Sequence, residues 1–109
     1  EIAARTADLI RRTRLGQVTP DDLSSGTFTI TNVGMYDINA FTSIINIPEC
    51  AILGVGCIKE RAVVRQGQIT ARPTIVLSLT VDHRVIDGAP AARFLQRLRQ
   101  LVEEPLLAL

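Results

Sequence analysis

Tryptophan is missing from this 109-residue chain, and aromatic residues make up only 4% of it, although hydrophobic residues reach 47%. Small aliphatic side chains must therefore supply the packing. For so short a chain this is more apolar surface than a free monomer hides easily, which points to oligomerisation or to a missing portion of the domain. Charge of one sign is scarce too: 12 basic side chains face 11 acidic ones, for a net charge of +1. With no basic block interleaved with aromatics, nucleic acid is not an expected partner. No apolar run is long enough to cross a bilayer, and Glu1 opens no signal peptide, so a soluble, intracellular protein without a membrane partner is expected. Cysteine occurs twice, at Cys50 and Cys57, with no Cys-x-x-Cys spacing and no second histidine, which excludes a metal site as the expected chemistry. Both lie in apolar surroundings and read as buried, inert thiols.

What remains is a regular alternation of elements. Residues 1–15 read as a helix with Ile2, Ala3, Leu9 and Ile10 on one side and Arg11, Arg12 and Arg14 at its negative end, stopped by Gly16. Thr19-Pro20-Asp21-Asp22 reads as a cap and a helical turn, and Ser24-Ser25-Gly26 as a turn. Thr27 to Thr31 alternates sharply, with Phe28 and Ile30 on one side and the threonines on the other, as a strand does. A looser section runs from Met35 to Phe41, followed by the apolar run Thr42 to Ile47, closed by Pro48. Ala51 to Gly56 reads as a buried strand. Ala62-Val63-Val64 and Gln68-Ile69-Thr70 flank Gln66-Gly67 and predict a hairpin. Pro73 is expected to open a strand over Thr74 to Val81, and Ala91, Phe94, Leu95, Leu98, Leu101 and Val102 form a helical stripe ended by Glu103-Glu104-Pro105. The pattern predicts one domain with a mixed sheet of about five strands and helices at both ends of the chain, hence α/β or α+β.

The only stretch suited to running a reaction is His83-Arg84-Val85-Ile86-Asp87-Gly88. It holds the single histidine, between the last strand and the last helix. A rigid strand aims such a side chain and the loop admits substrate, while imidazole exchanges protons near neutral pH. Each residue also has a plain structural reading. His83 would make an ordinary loop hydrogen bond, Asp87 would cap the helix, Gly88 would permit an unusual backbone angle, and Thr31 would belong to the polar face of a strand.

Taken together, Gly26-Thr27-Phe28-Thr29-Ile30-Thr31-Asn32-Val33-Gly34-Met35 and Asp82-His83-Arg84-Val85-Ile86-Asp87-Gly88 resemble the catalytic domain of the dihydrolipoamide acyltransferases. These form the core of 2-oxo acid dehydrogenase complexes. The family's His-x-x-x-Asp-Gly signature, shared with chloramphenicol acetyltransferase, is intact. The stretch from Phe41 to Gly56 and the closing helix fit as well, so the similarity covers essentially the whole chain.

The resemblance implies a chloramphenicol acetyltransferase-like α/β fold, a two-layer sandwich of a mixed sheet packed by helices, present as a partial domain. Residues 1–109 would be the C-terminal half of the catalytic domain, with the lipoyl and subunit-binding domains absent and Glu1 at a fragment boundary. His83 would be the general base toward the thiol of coenzyme A, Thr31 the hydroxyl donor to the oxyanion, and Asp87 the residue that holds the active-site loop. The acyl donor would be a lipoyl group carried on a domain outside this chain. Relatives assemble as trimers with His and Ser/Thr meeting between subunits. The implied partners are therefore a homotrimer building a larger core and the other subunits of a 2-oxo acid dehydrogenase complex, in the bacterial cytoplasm or the mitochondrial matrix. Met35-Tyr36 and Phe41 to Asn46 look more like acetyl-transferring members than branched-chain or succinyl ones. Two other readings stand beside this: a non-catalytic core scaffold that recruits partners, and an acetyltransferase acting on a small hydroxyl compound.

Overall fold

The computed structural model describes residues 1–108. Helix α1 spans Ile2–Arg14, and five strands follow: β1 (Thr29–Asn32), β2 (Ala51–Val55), β3 (Lys59–Arg65), β4 (Gln68–Thr74) and β5 (Leu77–Val81). Helix α2 spans Gly88–Glu103, and short 3-10 turns lie at Asp21–Leu23, Gly34–Tyr36 and Pro105–Ala108. The strands form two sheets rather than the single one expected: a mixed sheet in the order β1-β2-β5, with β1 parallel and β5 antiparallel to β2, and the separate hairpin β3-β4.

The core sits on β2. Ala51, Ile52 and Leu53 are buried because β2 is flanked by a strand on each side and covered on both faces. On one face, Ile52 and Gly54 lie in register with Thr29 and Thr31 of β1 and with Thr80 and Ser78 of β5. That hydroxyl-bearing face is covered by the irregular segment 41–49, where Phe41 and Ser43 close on Gly54 and Glu49 accepts a hydrogen bond of 2.5 Å from Thr29 Oγ1. Helix α2 packs against β5, and its Phe94 meets Phe28 just ahead of β1, ring centroids 5.7 Å apart. Its least exposed residues, Ala91, Leu95, Leu98 and Leu101, recur at helical spacing as the stripe predicts.

Several expected elements move. The strand read at Thr27–Thr31 begins at Thr29, and its apolar Ile30 is 66% exposed while Thr29 and Thr31 are half-buried. The run Thr74–Val81 is not one strand. Pro73 and Thr74 end β4, opposite Glu60 and Lys59, while β5 starts at Leu77. Proline lacks an N–H, and a two-stranded hairpin offers it an outer edge where none is needed. Ile75 and Val76 carry the chain from one sheet to the other, with the Val76 carbonyl accepting from Gly56 N at 3.0 Å. The hairpin turn forms as expected, Gln66 and Gly67 both taking positive φ (51° and 76°), the pattern of a tight two-residue turn.

Helix α1 contains no buried residue, and Ile2 is 84% exposed. It is tied to the following turn by charge instead. Arg12 donates to both carboxylate oxygens of Asp22, at 2.6 and 2.7 Å, and its Nε donates to Asp8 at 3.0 Å. Thr19 donates to the same Asp22 carboxylate through its N–H and its hydroxyl, while Asp22 N donates back to Thr19 Oγ1. These contacts hold Asp22 far below the ordinary carboxylate range, the Arg12 guanidinium being the largest cause.

Candidate active site

Sequence order puts His83 two residues beyond β5, in the turn that joins it to α2. Asp82 builds this turn. Its N–H donates to the Cys50 carbonyl at 2.8 Å, its own carbonyl accepts from Val85 and Ile86 N–H at 2.9 Å, and its carboxylate accepts from Arg84 N at 3.0 Å. The Arg84 guanidinium adds a bond of 2.6 Å to that carboxylate. Arg84, through its guanidinium first and then its backbone N–H, holds Asp82 down at about 2. Asp82 therefore stays ionised at neutral pH and locks the backbone on either side of the imidazole. Asp82 was assigned no role from the residues alone, although aspartate two residues ahead of a free N–H is an Asx-turn signal.

His83 itself is exposed and makes no hydrogen bond among the described residues, so the bland expectation of an ordinary loop hydrogen bond is not what the structure shows. It opens onto a groove of about 700 Å³. Ile44, Ile45, Ile47 and Pro48 form one wall, with Ser43, Cys50 and Thr80 among the polar lining. Glu49, Asp82 and Arg84 line it too, and Ile44 and Ile47 are 91% and 85% exposed, so it is an open surface groove beside the imidazole. Cys57 is buried as expected, but Cys50 is only part-buried because it lies on this groove.

Asp87 occupies the N-cap position of α2, with an extended backbone (φ −76°, ψ 162°), yet its side chain makes no capping hydrogen bond. The cap reading is thus right in position and wrong in chemistry. The carboxylate is exposed and without a partner among the described residues. Gly88 needs no unusual angle, since it does not take positive φ.

Thr31 lies on the hydroxyl-bearing face of the sheet, opposite Gly54. It does not line the His83 groove. Val81 pairs with Ala51 on the other side of β2, three residues back along it. Strand geometry therefore separates Thr31 from Val81 by about 10 Å along the sheet and about 10 Å across it. The chain leaves β5 at the end away from Thr31, so one copy does not bring Thr31 and His83 together.

Among the described residues there is no cluster of three or more His, Cys, Asp or Glu side chains suited to a metal ion. No helix among them is long and apolar enough to cross a membrane.

The sequence model of a protein family, the 2-oxoacid dehydrogenases acyltransferase (catalytic domain), matches residues 1–109. The chain is 44% identical over 105 residues to the probable dihydrolipoyllysine-residue succinyltransferase component of the mitochondrial 2-oxoglutarate dehydrogenase complex of Schizosaccharomyces pombe, covering 96% of this chain and 23% of that protein. A crystallographic and enzymatic study of the Azotobacter vinelandii dihydrolipoamide acetyltransferase provides a structure that superposes with a TM-score of 0.90 at 40% identity, over 94% of this chain and 42% of the other. The cubic core of the pyruvate dehydrogenase multienzyme complex superposes with a TM-score of 0.89 at 40% identity, again over 94% of this chain and 42% of its counterpart. The chain thus spans about a quarter of the length of the curated relative and less than half of each solved chain.

Proposed function

The chain belongs to the 2-oxoacid dehydrogenase acyltransferase catalytic-domain family, and from that premise we propose that it carries the catalytic residues of a dihydrolipoamide acyltransferase. Residues 1–109 form the C-terminal half of the catalytic domain in this reading. The observation that carries it is a coincidence of spacing. In the Azotobacter acetyltransferase, a serine, a histidine and an asparagine have been investigated for the catalytic mechanism, 52 and then four residues apart. Thr31, His83 and Asp87 have the same two separations. Thr31 keeps the hydroxyl of the serine and adds a methyl group that stiffens its rotamer. Asp87 stands where that enzyme has asparagine.

The substrates are the thiol of coenzyme A and an acyl-dihydrolipoyl group. His83 takes the proton from the coenzyme A sulfur, and the thiolate forms a bond to the thioester carbonyl carbon. The oxygen that gains charge accepts a hydrogen bond from Thr31. The bond from carbon to the dihydrolipoyl sulfur then breaks, and His83 returns the proton to that sulfur. No acyl-enzyme is needed, because both substrates are thiols that attack well once deprotonated, and Cys50 and Cys57 stay out of the reaction. Asp87 transfers no proton. Its unpaired carboxylate suits an arginine from outside the chain that fixes the turn.

Because one copy keeps Thr31 and His83 apart, the site is completed between subunits: His83 of one protomer faces Thr31 of the next, in a trimer that builds a larger core. The exposed Ile30, Ile44 and Ile47 support such burial. The transferred group is acetyl, on the likeness around Met35-Tyr36 and Phe41 to Asn46, and the location is the bacterial cytoplasm or the mitochondrial matrix. A scaffold that only recruits partners need not retain Thr31, His83 and Asp87 together.

The test uses the complete acyltransferase that carries this chain. His83→Ala is expected to slow acetyl-CoA formation from acetyl-dihydrolipoamide by about 10²–10⁴. Wild-type turnover by that variant would remove the mechanism, and faster use of succinyl-dihydrolipoamide would remove the acetyl assignment.

A further inference from the structure

Ser43 is the one side chain of the His83 groove that is buried and polar without a partner. The residue is 8% exposed, and its Oγ makes no hydrogen bond. A buried hydroxyl left unbonded is unfavourable, and in native proteins such atoms call for a reason. Its location supplies one. Gly54 has no side chain, and Ser43 Oγ lies 3.1 Å from the position a Cβ would take there, beside the Phe41 ring at 3.0 Å. Gly54 is the register partner of Thr31 across the parallel pair. Side chains of paired residues project from the same face, one strand spacing of about 5 Å apart. Ser43 Oγ and the Thr31 hydroxyl therefore share one covered face as near neighbours, and Thr31 also makes no side-chain hydrogen bond among the described residues.

Resting on the acyltransferase reading above, we propose that Ser43 is a positioning residue for Thr31: its hydroxyl donates to Thr31 Oγ1, leaving the threonine proton to point at the developing oxyanion. A hydroxyl has one proton to give and two lone pairs to receive with. Left alone, Thr31 can turn its proton to any acceptor within reach. Once it accepts from Ser43, its oxygen is engaged on one side and its own O–H is polarised and aimed at the substrate. Glycine at position 54 leaves room for this, since a Cβ there would press on both the Phe41 ring and the Ser43 hydroxyl.

The experiment is a double-mutant cycle in the complete acyltransferase. Ser43→Ala is expected to lower kcat about tenfold with KM for both thiol substrates unchanged, a smaller loss than deleting the oxyanion donor itself. In a Thr31→Ala background the same substitution is expected to cost nothing further. Ser43→Cys, which keeps the volume but donates weakly, should fall between serine and alanine. It also stands in should the alanine variant fail to assemble. An unchanged kcat, a rise in KM in place of a fall in kcat, or an equal loss in the Thr31→Ala background would each overturn the relay. If His83→Ala is inactive while Ser43→Ala matches wild type, the relay alone fails. A fully active His83→Ala removes the functional reading beneath it.

Discussion

Helix α1, apolar on one side and charged on the other, and the wholly apolar strand β2 are held in opposite ways. Strand β2 is buried on both faces and paired on both edges, so its place follows from hydrophobic burial and ladder hydrogen bonds. Helix α1 buries nothing; its Ile2, Leu9 and Ile10 face outward, and the Arg12–Asp22 clamp fixes it. One element is held by its own chain's core and the other by a charged clamp at its end. The sheet that carries Thr31 and aims His83 is organised from within, while the helix presents an apolar side, Ile2, Leu9 and Ile10, that stays exposed among the described residues.

Substitutions in both elements and at the site test that contrast. Leu53→Ala removes buried methyl groups from the centre of β2 and is expected to cost about 2–5 kcal/mol in a denaturant melt. Arg12→Ala in the same melt should fall well short of that; an equal loss would mean that the clamp, too, is part of the core. Thr31→Ala is next, expected to slow acyl transfer by about 10²–10³ through loss of the oxyanion donor. Arg12→Ala should leave that rate within a factor of about two, since the arm touches neither Thr31 nor the groove.

The smallest effect is one of pH. Asp22 has its pKa depressed by Arg12 and Thr19, so the clamp contributes fully above the unfolded aspartate value of about 3.9. Its contribution falls away as pH drops below that value toward the lower folded one. Amide protection factors, taken against the intrinsic exchange rate at each pH, should fall in α1 on acidification while those in β2 hold. With Asp22→Asn, α1 should be loose at every pH, and a persisting acid transition there would assign it to another carboxylate. Asp82 obeys the same sign: with its pKa near 2, the Arg84 contact that shapes the His83 turn is lost only as pH falls from about 4 toward 2.

Elements set by local pattern were legible in the residues. The apolar run of β2, the Gln66-Gly67 turn and the α2 stripe each follow from spacing that one partner surface suffices to explain. Thr74 to Val81 misled because alternation continues unbroken while the chain changes sheets at Ile75 and Val76. Period-two patterning reports that a residue alternates, not which strand it pairs with. At the site, His83 was legible as the lone imidazole at a strand-helix junction, and Thr31 and Asp87 only through resemblance. Glu49 and Ser43 carried no such mark, and Asp82 only the local signal of an Asx turn. Asp82 and Glu49 gain their importance from contacts with Arg84, Cys50, Thr29 and Asn46, and Ser43 from lying over Gly54.

Residue order alone determined the chemistry on offer: one imidazole, a hydroxyl 52 residues before it and an aspartate four residues after it. The tertiary structure decided what those groups can reach. Register across β2 sets Thr31 beside Gly54 and beneath Ser43, and sends the chain toward His83 from the far side of the same strand. Side-chain identity is written residue by residue, whereas distance between remote residues arises from strand pairing, which involves the whole sheet at once.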